Sequence, residues 1–367
     1  MILTVLFYSF VVFTVIQIIY YLLFSSFLFD SKKSKDQSAE IPVSVIICAK
    51  NEAENLKKFL PSILNQKYTN FELILINDAS SDATSEVMDS FAEKDSRIRI
   101  ITVKNIETFW GNKKYALTLG IKAAKNDHLL FTDADCCPVS NHWIYEMSQK
   151  FNPRKTIVLG YGKYKKENTL VNLLVRFETL LTAIQYFSYA KLGTPYMAVG
   201  RNLAYHRAEF FKVKGFINHL HIKSGDDDLF IQDAANKKNT IITTTKNSFT
   251  ESIGPKSLSE WFYQKRRHIS TANHYKFSHK FFLGLFFISK VLFYGLATLL
   301  FFFYPINVVL PLIVSYYTVQ FIVIHISSKK LNEPSISYVF PFLEIILLLF
   351  HFSIFITNLS SKPTHWK

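Results

Sequence analysis

Hydrophobic and polar positions divide the chain into two apolar ends and a mixed middle. Residues 1–29 are almost wholly apolar, interrupted by Gln17 and a few hydroxyls. The run is long enough to cross a bilayer as a helix. It lacks the basic leader, short apolar core and small-residue cleavage site of a secretory signal, so it reads as a retained transmembrane anchor. Asp30-Ser31-Lys32-Lys33-Ser34-Lys35 follows, a cationic flank expected to stay cytoplasmic, and residues 30–40 read as a polar linker. Near the other end, 281–303, 306–326 and 338–356 read as three further spans, the first two separated at Tyr304-Pro305. Lys329 and Lys330 mark the cytoplasmic end of the middle one. Glu344 and His351 fall inside the last. A carboxylate there is costly unless it faces protein, so Glu344 reads as an interhelical contact rather than part of a substrate path.

The middle alternates. Residues 41–49 (IPVSVIICA), 71–76 (FELILI), 98–103 and 129–131 are short apolar or β-branched runs that predict buried strands. Helical patterns stand between them, at about 53–65, 84–94 and 113–124. Strands alternating with helices predict right-handed crossovers and a mostly parallel sheet. Helices are also expected over 143–151 and 170–189. In open α/β sheets ligands bind beyond the carboxyl ends of the strands. Asn51, Glu52, Asp78, Asp133 and Asp135 all fall at such ends.

Composition narrows the class. The 367 residues are 49% hydrophobic and 16% aromatic, and the apolar excess is concentrated at the ends. The formal charge of +14 places many cations beside apolar segments, which points to a membrane surface rather than nucleic acid, and no nucleic-acid motif is present. Three cysteines, Cys48, Cys136 and Cys137, make neither a disulfide framework nor zinc-ligand spacing, which fits a reducing compartment.

Candidate chemistry begins at Asp133-Ala134-Asp135. Alone, this is a solvated surface turn as readily as a site. At the fourth of a series of strand ends it is a place for a hard divalent cation shared with a substrate's phosphates. No GxGxxG or GxxxxGK[ST] cradle exists, so carboxylates and a metal would have to hold any nucleotide. Gly225-Asp226-Asp227-Asp228 opens a helix; acids suit that position electrostatically, but three are more than capping needs. Trp261 to His268 is basic and amphipathic. It can serve as an interfacial helix meeting anionic headgroups or aim cations at a phosphorylated substrate.

These motifs, in this order, resemble the family 2 glycosyltransferases in a membrane-anchored bacterial form: VSVIICAKNE, LILINDASSDAT, NKKYALTLGI, FTDAD, GRNLAYHR, GDDDLF and QKRRH. The resemblance covers residues 41–270. It implies an inverting, nucleotide-sugar-dependent enzyme with an α/β domain of the GT-A type. The implied layout is an anchor (1–29), a linker (30–40), a cytosolic catalytic domain (41–275), and an interfacial segment with about three transmembrane helices (276–367). It implies that Asn51 and Glu52 form a turn near the nucleotide, that Asp78 reads base or ribose, and that Lys113 and Asp133 lie by the donor. Asp135 would be the ligand of Mg²⁺ or Mn²⁺. Asp226 would be the catalytic base, with Asp227 the alternative because Gly225 replaces the usual acid. Gln264, Arg267 and His268 match a Gln-x-x-Arg-Trp motif at the acceptor and diphosphate, with His268 where tryptophan is usual. The implied partners are a nucleotide-sugar donor, a lipid-linked or cell-envelope glycan acceptor and the inner or plasma membrane. The expected activity is transfer of one sugar. A processive polysaccharide synthase and a non-catalytic nucleotide-binding module are the alternatives.

Overall fold

The computed structural model describes residues 1–29, 40–104, 113–222 and 224–361. Of the linker expected at 30–40, only Glu40 lies among them. Helix α1 (Ile2–Phe24) leads to the α/β region, which begins β1 (Val43–Ala49), α2 (Ala53–Leu64), β2 (Phe71–Asp78), α3 (Thr84–Ala92), β3 (Ile98–Val103), α4 (Lys113–Ala123) and β4 (His128–Phe131). The chain continues through β5 (Cys136–Pro138), α5 (Trp143–Ser148), β6 (Ile157–Leu159), β7 (Gly162–Tyr164), α6 (Leu170–Leu192), β8 (Leu203–His206) and α7 (Arg207–Lys212). It ends with α8 (Asp228–Ala234), β9 (Thr240–Ile242), β10 (Thr250–Ser252), α9 (Leu258–Ser270), α10 (Phe277–Phe303), α11 (Ile306–Lys330) and α12 (Phe340–Ser360).

Seven strands form one sheet in the order β3-β2-β1-β4-β8-β6-β9. The first four are parallel, with Ile46 opposite Ile74 and Phe131. Every residue of β2 is buried, as expected of a parallel strand covered on both faces. Gly120 lets α4 approach closely, since a Cβ there would lie 2.3 Å from Ile76 Cδ1. The sheet changes direction at β8, which runs antiparallel to both β4 and β6. A second sheet, β5-β10-β7, sets Cys136 opposite Ser252 beside the β4 end.

The two sheet faces have different neighbours. Val45, Leu73 and Leu130 pack with α2 and α5 residues such as Leu56, Leu60 and Trp143. Ile46, Ile74 and Leu129 belong to a core that continues through α6 into Tyr21, Phe24, Phe293 and Tyr316 of the apolar helices. The α/β region and the apolar helices thus share one buried cluster.

Among the described residues, five helices are long and apolar enough to cross a membrane: α1 with its short extension to Phe29, α6, α10, α11 and α12. Of these, α6 stands apart, with 67% of its most apolar stretch buried against 17–28% in the others. Its flanking strands β6 and β8 are hydrogen-bonded to each other. A crossing would separate them unless the short return segment passed through lipid as unpaired backbone, which hydrocarbon does not tolerate. The apolar character of α6 therefore serves protein packing.

Glu344 makes the interhelical contact expected of it. Its carboxylate accepts from Tyr21 (3.0 Å) and Tyr294 (2.7 Å) and pairs with Lys290, joining α1, α10 and α12. Gln320 of α11 donates to the Tyr21 hydroxyl at 2.7 Å. The second half of α12, which has the length and hydropathy of the expected span, also packs on the α/β region. Phe350 stacks on Trp261 of α9, with centroids 4.0 Å apart. Arg266 donates from Nε to Asn358 Oδ1 (2.9 Å) and from Nη2 to the Ser361 carbonyl (2.7 Å).

Removing one partner of a buried ion pair strands the other charge, at a cost of about 3–5 kcal/mol. Lys290→Met should therefore lower the thermal unfolding midpoint sharply, and adding Glu344→Gln should recover much of the loss. Equal midpoints for Lys290→Met and the unaltered protein would show that the pair does not hold the helices.

Candidate active site

The cleft opens at the carboxyl ends of β1, β2 and β4. Its central contact is the ammonium of Lys113, the first residue of α4. Nζ lies 2.8 Å from Asp133 Oδ1 and 3.2 Å from Asp226 Oδ2. Cys48, Thr132, Gly200 and Asp227 also line the space. Burial pushes the Asp133 carboxyl up, but the adjacent Lys113 charge outweighs it and holds the group below its ordinary value. Asp135 goes the other way, raised by burial and then by the Asp133 charge. Burial also raises Asp78, which closes β2, against the opposing influence of Lys50 and Lys113. A larger cavity of about 550 Å³, by His128, His206 and Glu209, opens at the opposite end of the strands and contains none of these acids.

Ligand atoms of Asp133, Asp135 and Cys136 all lie within 4.8 Å of one another. Two carboxylates beside cationic Lys113 suit a hard divalent cation that arrives with phosphate oxygens. The donor set therefore fits Mg²⁺ or Mn²⁺. Cys136, which the cysteine spacing did not mark, adds a buried thiol whose Sγ is 3.4 Å from Asp135 Oδ1.

The three consecutive aspartates have three different surroundings. Asp227 accepts from Gly200 N (2.7 Å) and Asp228 N (2.8 Å), so it caps α8 and clamps the 200–202 turn. Asp228 accepts from the Thr271 and Tyr275 hydroxyls, both at 2.6 Å, tying α8 to the start of α10. Asp226 turns to Lys113. Capping and cleft-lining are thus divided among neighbours. Gly225, the departure noted in the sequence, has φ +88°, and a Cβ there would lie 2.7 Å from Leu229 side-chain atoms. An acid does not fit that backbone. Lys114 was missed by sequence reasoning: its Nζ donates to the carbonyls of His219 (2.8 Å) and Ile222 (3.1 Å), fixing the approach to Gly225.

Asn51 and Glu52 stitch two loops together beside Asp78. Asn51 has φ +56°, and its Oδ1 accepts from Ser81 N at 2.8 Å. Glu52 N donates to Thr84 Oγ1 at 2.9 Å, while Asp82 accepts from Ala53 N and Thr84 N. Arg267 lies in the field of Asp226 and Asp133. Gln264 is half-buried and His268 exposed on the same helix. Arg201 was also missed. Its carbonyl accepts from Thr132 and Thr250, and its guanidinium covers the Tyr164 ring at 4.4 Å. The only sequence signal was its place in the tight GRN segment.

Comparison with known proteins agrees with this geometry. Residues 44–211 match the family model "Glycosyl transferase family 2". The chain is 29% identical over 126 residues to the uncharacterized glycosyltransferase EpsJ of Bacillus subtilis, covering 34% of this chain and 35% of that one. It is 29% identical over 160 residues to poly-beta-1,6-N-acetyl-D-glucosamine synthase of Staphylococcus aureus, covering 40% and 37%. The aligned part thus spans about a third of the length of these relatives. The mannosyltransferase PcManGT from Pyrobaculum calidifontis, solved in complex with GDP-Man and Mn²⁺, superposes with a TM-score of 0.60 over 92% of this chain and 98% of that one. At 15% identity, that likeness shows the fold. Residues 44–211 are thus a glycosyl transferase family 2 region, in a chain with a GT-A-like α/β domain and apolar helices at both ends.

Burial, then the charges of Asp226 and Asp228, push Asp227 up to about 7. The folded state holds this proton more tightly than the unfolded chain, whose carboxyl titrates near 3.8. This contribution to stability is complete below that value and lost as pH rises through about 7. Asp227→Asn should flatten the pH dependence of the unfolding midpoint in that window. An unchanged slope would mean that Asp227 is not the group responsible.

Proposed function

We propose that this protein is an inverting transferase that moves a sugar from a nucleoside-diphosphate sugar to a hydroxyl of a lipid-linked or cell-envelope glycan at the membrane. The observation that carries the reading is the meeting of Lys113, Asp133 and Asp226 beside Asp135 at the strand ends. The GDP-Man and Mn²⁺ held by PcManGT, on the same fold, support it. In this reading residues 41–275 are a cytoplasmic catalytic domain and the apolar helices anchor it in the inner or plasma membrane.

Asp78 sits where a donor's base or ribose would lie, with Asn51 and Glu52 keeping the adjoining loops in place. Asp133 and Asp135 would hold a divalent cation, Mg²⁺ or Mn²⁺, which would supply positive charge against the departing diphosphate. Lys113 stays protonated between two carboxylates, so it orients them and does not act as base. Asp227 has both oxygens engaged by backbone N–H groups, which leaves Asp226 to take the proton of the attacking hydroxyl. Attack on the anomeric carbon breaks the bond to the diphosphate oxygen and inverts the centre. Arg267 faces the charge that develops there, and Gln264 and His268 border the acceptor.

Asp226→Asn should bind donor about as well as the unaltered protein yet lose transfer by a factor of about 10²–10⁴, the usual contribution of a positioned base. Wild-type turnover in that variant would exclude Asp226. Chelation with EDTA should abolish release of nucleoside diphosphate from a panel of nucleotide-sugars, and Mn²⁺ or Mg²⁺ should restore it. Full release in metal-free buffer would remove the cation from the reading. No release with any donor would favour a non-catalytic binding module, and long products on a gel would favour a processive synthase.

A further inference from the structure

The path of the chain from residue 333 to residue 361 begins and ends on the catalytic side of the helix bundle. At its start, Lys330 closes α11 by donating to the carbonyls of Phe27 and Leu28, just after α1. Glu333 then pairs with Arg176 of α6, both fully buried. Eleven residues on, Glu344 lies against Lys290 and Tyr316, near the middle of α10 and α11, and accepts from Tyr21, three residues before the end of α1. Measured on α10 and α11 the chain has entered to about half depth, and measured on α1 by about one turn.

From Glu344 to Ser361 a helix rises about 25 Å at 1.5 Å per residue. Were it to continue outward, Ser361 would pass the far edge of a hydrocarbon core about 30 Å thick and lie on the order of 40 Å from the catalytic side. Instead the Ser361 carbonyl is 2.7 Å from Arg266 Nη2, on the helix that also carries Arg267. His351, between these points, lies in the field of Glu178 and Lys265, which form a 2.6 Å ion pair between α6 and α9. His351 also feels Lys290 of α10, but among the described residues the side-chain hydrogen bonds that join α12 to other elements after Glu344 run to Arg266.

We propose that residues 333–361 are a re-entrant segment: the turn before α12 enters the bundle from the catalytic face and α12 returns to that face, where Arg266 and Trp261 clamp it to α9. Three helices, α1, α10 and α11, then complete crossings, and Met1 and Ser361 lie on opposite faces of the membrane. The clamp has a use in the reaction. Trp261 and Lys265, four residues apart, share one side of α9 with Gln264 and His268, while Arg267 stands on another. Gripping α9 from α12 and α6 fixes its rotation and so the direction in which Arg267 points. Arg266 is a positioning residue in this scheme, acting through its neighbour Arg267.

Epitope tags before Met1 and after Lys367, in sealed vesicles with the catalytic domain outward, test the path. Added protease should remove the Lys367 tag together with the catalytic domain and spare the Met1 tag. The six residues after Ser361 reach at most about 21 Å, too short to recross. Protection of both tags would overturn the re-entrant path. The positioning arm rests on the proposed role of Arg267 at the diphosphate and is read by kinetics. Arg266→Gln should raise the donor KM about tenfold with kcat within about twofold, and Arg266→Lys should recover part of it; Asn358→Ala, a milder cut of the same clamp, should act in the same direction. An unchanged donor KM in both Arg266→Gln and Asn358→Ala would overturn the positioning role. An unchanged donor KM in Arg267→Ala would instead overturn the role given to Arg267 itself.

Discussion

The ammonium of Lys113, held between Asp133 and Asp226, is the contact on which the cleft depends. It joins the start of α4, the end of β4 20 residues later, and the approach to α8 far beyond both in the chain. At 3 to 4 Å and an effective dielectric near 20, each such attraction is about 4–5 kcal/mol before desolvation is subtracted. Without the cation, two partly buried carboxylates would face each other, and Asp227 would add a third. The fold can gather acids at one point because this lysine is already there to meet them. In the proposed reaction the same cluster would receive a second cation together with the donor's phosphate oxygens.

Much of this was legible in the chain. Parallel strands covered on both faces leave nearly continuous apolar runs, so β1, β2 and β4 stood out, and with them the polar residues at their carboxyl ends. The three-residue strands β5, β7 and β10 left no such trace, because so short a run has no period to detect. The aspartates at 226, 227 and 228 could be recognised as a group but not told apart. Their roles are decided by Lys113, Gly200, Thr271 and Tyr275, none of which is near them in sequence. The adjacent arginines at 266 and 267 pose the same problem: one turns to the end of α12 and the other to the cleft. The sequence also offered no way to see α6 as a packing helix. Its hydropathy is that of a span, and only the pairing of the strands on either side of it says otherwise.

The apolar helices and the sheet are not separate bodies joined by a tether. Tyr21 and Phe24 of α1, Phe187 and Tyr189 of α6, and Phe293 of α10 belong to the same buried cluster as Ile46 and Leu129 of the sheet. Polar contacts reinforce this junction, with Ser188 Oγ donating to the Phe24 carbonyl at 2.7 Å and His279 bonded to Gln232 of α8 at 2.9 Å. Because α8 begins with Asp228, directly after the cleft acids, the helix bundle sets their position through only a few side chains.

The loop stitching by Asn51 and Asp82 bears on how such sequences drift. These residues belong to the most recognisable part of the chain, yet their hydrogen bonds are spent on Ser81, Ala53 and Thr84, on holding one loop to the next. A descendant that had lost its chemistry would still need them to fold. Among the described residues Asp226 is paired with Lys113 and has no comparable bond to the backbone. If Asp226 is the base proposed above, the opening motif in relatives reports common ancestry, and the acid at 226 is the better witness to whether an enzyme survives.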